Sequence, residues 1–256
     1  MRWLSTIAII LAFVVFFGCE KTPTLEAPNV SYTVSPSDSG GTLELSWDEV
    51  TDADGYIIYA DGAVIDTVTT ISYDATTPAA LYEVSAYAGD QESDKDQIDC
   101  GAVETASLIV YGSGDTASTH PSGFGFNASH VAVAYAISDS TNWPYIDYWI
   151  HSVSSSVQEF ASPSQAGYNS EVNTTQNSQQ TNYDAVTICA KPGNYTAPTT
   201  INANAVYYFW IDPNDDGWGA SNDYFGKIQV LGVNGYQITL KIAYQPIAGL
   251  RWCVTP

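Results

Sequence analysis

Basic residues are scarce in this sequence. Lys and Arg together number 7, against 28 Asp and Glu, which gives a formal net charge of −21 at pH 7. Proteins that bind nucleic acid need a basic surface to neutralise phosphates, so we exclude nucleic acid as a partner. The same charge disfavours contact with anionic lipid head groups, whereas divalent cations would relieve the repulsion among so many carboxylates.

Catalytic motifs are also missing. The sequence contains no His-Glu-x-x-His motif, no Gly-x-Ser-x-Gly turn and no phosphate-binding loop. Glutamate is sparse after Glu104, so a glycosidase carboxylate pair would have to draw on aspartates. Asp147, Trp149 and His151 share one face of a predicted strand, where we expect a structural hydrogen bond to the imidazole. We therefore predict that the chain is not an enzyme.

Long apolar runs are limited to the start of the chain. Residues 3–17 are apolar or small, and this run is shorter than the ~20 residues that a membrane-spanning helix needs. It is typical of a secretory signal peptide, which we assign to residues 1–18. Residues 19–28 then form a polar tether.

The end of this segment, VFFGCEK, resembles a bacterial lipobox. The resemblance implies that Cys19 is lipidated, and that the protein is exported and contacts the membrane through its acyl anchor. Glu20 after that cysteine implies the outer membrane or cell surface. Phe16 departs from the usual leucine, and a lone cysteine in an ordinary signal peptide is the alternative.

Few cysteines follow Cys19. Cys100, Cys189 and Cys253 form an odd set, which is unusual for an oxidising compartment. A disulfide between Cys189 and Cys253 would close a loop of about 64 residues and contribute about 4 kcal/mol in the chain-entropy model. The other two pairings, and three separate buried thiols, remain open.

Alternating residues predict a β-sandwich domain over residues 29–106. Leu43, Leu45 and Trp47 alternate with polar residues, and residues 82–86 alternate in the same way. Asp61 and Gly62 are typical of the two central residues of a primed hairpin turn. Each strand therefore has one apolar face that must be buried.

The succession LELSWDEVTDADGYIIY, DG and PAALYEVSAYAG resembles a fibronectin type III domain over residues 27–106. Trp47 falls where that family buries a tryptophan, and Tyr82 falls at its tyrosine corner. The resemblance implies a spacer or adhesion module.

Residues 107–256 are long enough for a second core. Ile238, Leu240, Ile242 and Tyr244 alternate with polar residues, and Asn234 with Gly235 predicts another primed hairpin turn. Residues 157–183 are rich in Ser, Gln, Asn and Thr and predict a long surface loop. We predict an all-β protein, with a second sandwich or jelly roll after the fibronectin-like one.

The order of the segments NWPYIDYWIHS, VYYFWIDP and YFGKIQVLGV resembles the HmuY-like surface lipoproteins. Members of that group are β-sandwiches, and some bind haem. The ligands of that family do not map onto His120, His130 or His151. A haem or small-ligand carrier is therefore an alternative function.

Residues 212–223 reproduce the spacing Asp-x-Asn-x-Asp-Gly-x5-Asp of a calcium-binding loop. The expected ligands are Asp212, Asn214, Asp216, the carbonyl oxygen of Trp218, and Asp223. Flanking strands and an aspartate at the last position depart from the helical calcium loops, and a solvated acidic hairpin is the alternative. We expect weak affinity, with Kd on the order of 10⁻⁴ to 10⁻³ M.

Trp143 and Trp218 fall in predicted loops, where they could serve as exposed platforms for a ligand. A carbohydrate-binding accessory module is therefore a further alternative. The main prediction is a lipid-anchored, calcium-stabilised protein of the cell envelope that binds protein or glycan ligands without catalysis.

Overall fold

The computed structural model describes residues 24–117, 119–218 and 222–256. The predicted signal peptide, the predicted lipidation residue Cys19 and the first residues of the tether lie outside these ranges. The described chain is almost entirely β-structure with two short 3-10 helices, Ser140–Tyr145 and Pro163–Ala166. None of its helices has the length and apolar character that crossing a membrane requires. The predicted all-β class is confirmed.

The first sandwich packs a three-stranded sheet against a larger one. Its strands are β1 (Val30–Ser35), β2 (Thr42–Trp47), β3 (Gly55–Ala60), β4 (Ala63–Val68), β5 (Ser72–Ala75), β6 (Leu81–Ala88), β7 (Gln91–Glu92) and β8 (Asp96–Asp99). Within the described residues, one sheet has the order β1-β2-β5 and the other has the order β4-β3-β6-β7, with β8 also paired to β6. All of these pairs are antiparallel.

The core of the first sandwich follows the alternation in the sequence. Leu43, Leu45 and Trp47 are buried, and the Trp47 ring contacts the Tyr56 ring at a centroid distance of 5.1 Å. The buried Tyr82 donates a hydrogen bond of 2.7 Å from its hydroxyl group to the carbonyl oxygen of Thr77. This hydrogen bond connects β6 to the loop that precedes it.

The second sandwich consists of two facing sheets. Its strands are β9 (Val103–Tyr111), β10 (Gly123–Phe126), β11 (Ala132–Tyr135), β12 (Tyr148–Ser154), β13 (Val157–Ala161), β14 (Thr174–Gln180), β15 (Thr199–Thr200), β16 (Val206–Ile211), β17 (Tyr224–Asn234) and β18 (Gln237–Tyr244). In the described part of the chain the sheets have the orders β14-β16-β17-β18-β9 and β11-β10-β12-β13-β15. Their inner faces form a core that includes Phe124, Phe160, Phe209 and Ile242.

Two sequence predictions for this half require correction. The expected loop over 157–183 contains strands β13 and β14. The predicted turn at Asn234 and Gly235 is displaced by one residue. Asn234 pairs with Gln237, so Gly235 and Tyr236 are the central residues of the turn, and Gly235 carries the positive φ of 60°.

The two sandwiches are closely joined. Strand β9 runs across the predicted domain boundary between residues 106 and 107 and belongs to a sheet of the second sandwich. The C-terminal segment returns to the first core, where Ile247, Leu250 and Trp252 pack with its buried residues. Trp252 is fully buried, and its ring lies 6.0 Å from the ring of Tyr82.

Candidate functional site

The predicted calcium loop connects the adjacent antiparallel strands β16 and β17. The last residue pair of these strands is Ile211 with Tyr224. Asp212 and Asp223 are the next residues outward on each strand, so strand pairing itself brings them face to face. Asp212 is 3% exposed and Asp223 is fully buried. The sequence thus places two carboxylates at the protected base of the loop.

The turn that follows Asp212 brings in a third carboxylate. Asp212 accepts hydrogen bonds from the backbone N–H of Asp216 at 3.3 Å and of Gly217 at 3.0 Å. Gly217 has φ of 83°, which a residue with a side chain rarely adopts. Carboxylate oxygens of Asp212, Asp216 and Asp223 consequently lie within 4.8 Å of one another.

This spacing is compatible with a calcium ion. Calcium binds oxygen ligands at 2.3–2.6 Å, so two ligands on opposite sides of one ion are about 5 Å apart. Three carboxylates with a separation of at most 4.8 Å can therefore contact one ion without a large rearrangement. Asn214 is exposed and Trp218 is half-buried on the same turn, and their roles as ligands stay predictions. Residues 219–221 of the loop lie outside the described residues.

Asn173 anchors this loop to the rest of the sandwich. Its side chain is fully buried, and its Oδ1 accepts a hydrogen bond of 3.2 Å from the backbone N–H of Asp212. Its Nδ2 donates to the carbonyl oxygen of Asp147 and to Oε2 of Glu171, both at 2.9 Å. One amide therefore connects the acidic loop with the residue that precedes β12 on the opposite sheet.

Asp147 and Glu171 form a second pair of neighbouring carboxyl groups. Burial raises the pKa of Asp147 well above its usual range, and the charge of Glu171 raises it further. The backbone N–H of Phe126 donates to Oδ2 of Asp147 at 2.9 Å. Asp147 thus holds a proton more tightly than an exposed aspartate does.

Trp218 is half-buried, and its ring packs against other side chains of the protein. Its ring meets the Phe225 ring edge to face at 5.7 Å, and the Arg251 guanidinium lies 5.3 Å from its centroid. Phe225 packs with the Cys189–Cys253 disulfide, which is formed in the structure. This packing connects the acidic loop to the disulfide, and the role of Trp218 as a ligand platform stays a prediction.

The remaining cysteine and the histidines have separate environments. Among the described cysteines, Cys100 is a free thiol that is buried in the first core. His120 stacks on Tyr111, and His130 stacks on Tyr244. His151 forms a contact of 3.1 Å from Nδ1 to Oε2 of Glu159. The partner of His151 is thus Glu159 on the neighbouring strand, not Asp147, which directly precedes β12.

Trp143 lies in the first 3-10 helix and is half-buried. Its indole N–H donates to the carbonyl oxygen of Ile137 at 2.9 Å, and its ring contacts Tyr168 at 5.3 Å. Asn169 also donates to the carbonyl oxygen of Trp143 at 3.1 Å. These contacts hold the predicted platform residue in a fixed orientation.

No protein-family model matches this chain, and no curated protein matches it. Among solved structures, the chain is similar to a DUF4466 family protein from Parabacteroides merdae ATCC 43184, determined at 2.00 Å resolution. The alignment covers 87% of this chain and 99% of the other, with 11% sequence identity and a TM-score of 0.38. A likeness this distant carries no argument about function.

Proposed function

We propose that this chain is a lipid-anchored binding protein of the bacterial cell envelope, whose second sandwich is stabilised by calcium. The observation that carries the calcium proposal is the approach of Asp212, Asp216 and Asp223 to within 4.8 Å. These residues occupy positions 1, 5 and 12 of the calcium-loop spacing, so the motif and the geometry support each other.

Electrostatics support the same proposal. Two carboxylates that lie at most 4.8 Å apart repel each other by at least roughly 3.5 kcal/mol at an effective dielectric constant of about 20. Asp212 and Asp223 are both buried, so water screens this repulsion poorly. A bound divalent cation would attract both carboxylates and so outweigh their mutual repulsion. The burial of two neighbouring acids therefore supports a cation site.

The first sandwich supports a role as a spacer. Its three-stranded sheet packed on a larger one, the buried Trp47, and the Tyr82 hydroxyl bonded to the Thr77 carbonyl are features that fibronectin type III domains share. The lipobox-like sequence around Cys19 lies shortly before this domain in the chain, which supports a position next to the proposed anchor. In this proposal the first sandwich holds the second one away from the membrane, and the second one binds the ligand.

Terbium luminescence tests the calcium site directly. Tb³⁺ replaces Ca²⁺ in oxygen sites, and energy transfer from the nearby Trp218 should give a luminescence that calcium removes by competition. Asp216→Asn should abolish the signal. Asp215→Asn is the matched control, since it removes the same charge from the residue that directly precedes Asp216. Equal signals from both variants, or none from the native chain, would overturn the calcium proposal.

A further inference from the structure

Four aromatic side chains form a row on the outer surface of the second sandwich. The ring centroids are 5.3 Å apart for Trp143 and Tyr168, 5.7 Å for Tyr168 and Trp149, and 5.2 Å for Trp149 and His151. All four residues are half-buried, so each keeps part of its ring accessible to solvent. We call these four residues the aromatic row.

The aromatic row is not part of the core. On β12, Trp149 and His151 alternate with Tyr148 and Ile150, which point inward and are 1% and 0% exposed. Successive side chains of a strand point to opposite faces of the sheet. The inward residues fill the core, so the packing of the sandwich does not account for the two outward rings. Contiguous exposed aromatic surface is typical of a binding site.

Hydrogen bonds fix the two indole rings. Trp143 donates from Nε1 to the Ile137 carbonyl at 2.9 Å, and Trp149 donates from Nε1 to the Ser162 carbonyl at 3.0 Å. Both indole donors are therefore used within the protein, and a ligand would meet the partly exposed apolar surface of each ring. Rings that are already ordered lose little conformational entropy on binding.

Polar groups and two cavities flank the row. A cavity of 260 Å³ is lined by residues that include Trp149, His151 and Gln165. A second cavity of 460 Å³, on the side of Tyr168, is lined by residues that include His120. The His151 side chain is 42% exposed, and its contact with Glu159 uses Nδ1, which leaves Nε2 for a ligand. The surface thus combines apolar faces with hydrogen-bonding groups, as small-molecule sites do.

We propose that the aromatic row binds a neutral oligosaccharide. Sugar rings have an apolar C–H face that can stack on an aromatic ring, and hydroxyl groups that can pair with His151 Nε2. Acidic glycans are disfavoured by the net charge of −21 and by Glu159 beside the row. This inference goes beyond the calcium proposal and does not depend on it.

The angles between the rings narrow the ligand further. The interplanar angle is 84° between Trp149 and Tyr168, and 46° between Trp143 and Tyr168. Such rings form an angled surface, which suits a soluble, bent chain or a chain end. A flat crystalline polysaccharide needs coplanar rings. The proposed ligand is therefore a soluble glycan of more than one sugar unit, because the row is longer than a single sugar ring.

Calorimetric titration of the full chain in detergent would test the proposal. The probes are neutral hexasaccharides of glucose, mannose, xylose and galactose, with crystalline cellulose and a proline-rich peptide as competing classes. We expect at least one soluble hexasaccharide to bind. Binding of the peptide or of crystalline cellulose alone would overturn the proposal, and so would binding of no probe.

Substitutions in the aromatic row test whether these residues bind the oligosaccharide. Trp149→Ala and Tyr168→Ala should each weaken binding about tenfold or more, because an apolar contact face is removed. Trp149→Phe keeps a ring and should retain most of the affinity. Tyr145→Ala is the control, since Tyr145 is 63% exposed and stacks on Tyr135 outside the row. If Tyr145→Ala weakens binding as much as Trp149→Ala, with both variants still melting like the native chain, the row is not the site.

Discussion

Removal of calcium is the perturbation that tests the proposed stabilisation most sharply. Without the ion, the buried carboxylates of Asp212 and Asp223 repel each other. The carboxylate of Asp216 then also lacks the calcium ion that it is proposed to bind. A ligand that binds the folded chain alone stabilises it in proportion to the logarithm of its concentration over Kd. Chelation should therefore lower the melting temperature.

The size of this shift follows from the expected affinity. With Kd between about 10⁻⁴ and 10⁻³ M, calcium at about 10 mM stabilises the folded state by about 1.4–2.7 kcal/mol. For a chain of this length, 1 kcal/mol corresponds to roughly 2–4 °C in melting temperature. We expect the melting temperature in calcium to exceed that in chelator by roughly 3–10 °C.

Circular dichroism melts in calcium and in EGTA measure this shift, with sodium and magnesium at matched ionic strength as controls. Sodium relieves general repulsion but does not fill the site, and magnesium demands a stricter geometry. Asp216→Asn should melt at the same temperature in calcium and in EGTA. Asp215→Asn should keep the native difference, since asparagine tolerates the positive φ of 52° at this position. A native chain that melts identically in calcium and EGTA refutes the reasoning.

Three further predictions concern the frame around the site. Trp252→Ala should cost about 3–5 kcal/mol in urea unfolding, because a fully buried ring leaves the first core, and a loss below about 1 kcal/mol would contradict that packing. Asp147→Asn should flatten the pH dependence of stability. The raised pKa of Asp147 makes the native chain lose stability as pH rises above about 4. Urea midpoints of the native chain and the variant from pH 4 to 8 measure how much of this loss the substitution removes. Refolding in dithiothreitol should remove about 4 kcal/mol by opening the loop closed by Cys189 and Cys253, and an unchanged urea midpoint would speak against it.

The alternation of apolar and polar residues predicted those strands that have one face in a core and the other face in water. In β18, Ile238, Leu240 and Ile242 are fully buried, as their spacing predicted. Strand β11 shows the limit of this rule. Its valine and tyrosine share one face, yet Ala132 and Ala134 on the other face pack against the core. Large aromatic rings fill that part of the core, so small residues fit opposite them, and hydrophobicity alone cannot reveal this.

Composition misled the prediction for residues 157–183. Strand β14 reads TTQNSQQ, which is polar on both faces, and polar clusters usually indicate a loop. The strand lies at the edge of its sheet, where it pairs with β16 and forms one isolated bridge, between Thr175 and Thr196, on its other side. An edge strand needs backbone hydrogen bonds more than it needs apolar side chains. Strand β14 therefore forms because it can pair with β16. The sequence of β14 by itself does not reveal this pairing.

The candidate site was predictable in part. The spacing of Asp212, Asp216 and Asp223 identified three residues that the structure brings together. The role of Asn173 was not visible, since its partner Asp212 lies 39 residues further along the chain. The carboxyl pair of Asp147 and Glu171 was missed for the same reason, since these two residues are also far apart in the sequence. Three residues of the aromatic row, Trp143, Trp149 and His151, stood out in the sequence, but Tyr168, whose ring contacts both tryptophans, did not.

Strand register explains why two acidic residues that are far apart in this loop lie close together in the structure. The pairing of Ile211 with Tyr224 fixes the separation of Asp212 and Asp223 whatever the residues between them do. Asn173 then holds the backbone of Asp212 against the carbonyl of Asp147, immediately before β12. The same hydrogen bonds that support the acidic loop therefore also order the start of the strand that carries Trp149. The proposed metal site and the proposed glycan surface are thus connected by one set of hydrogen bonds, centred on Asn173.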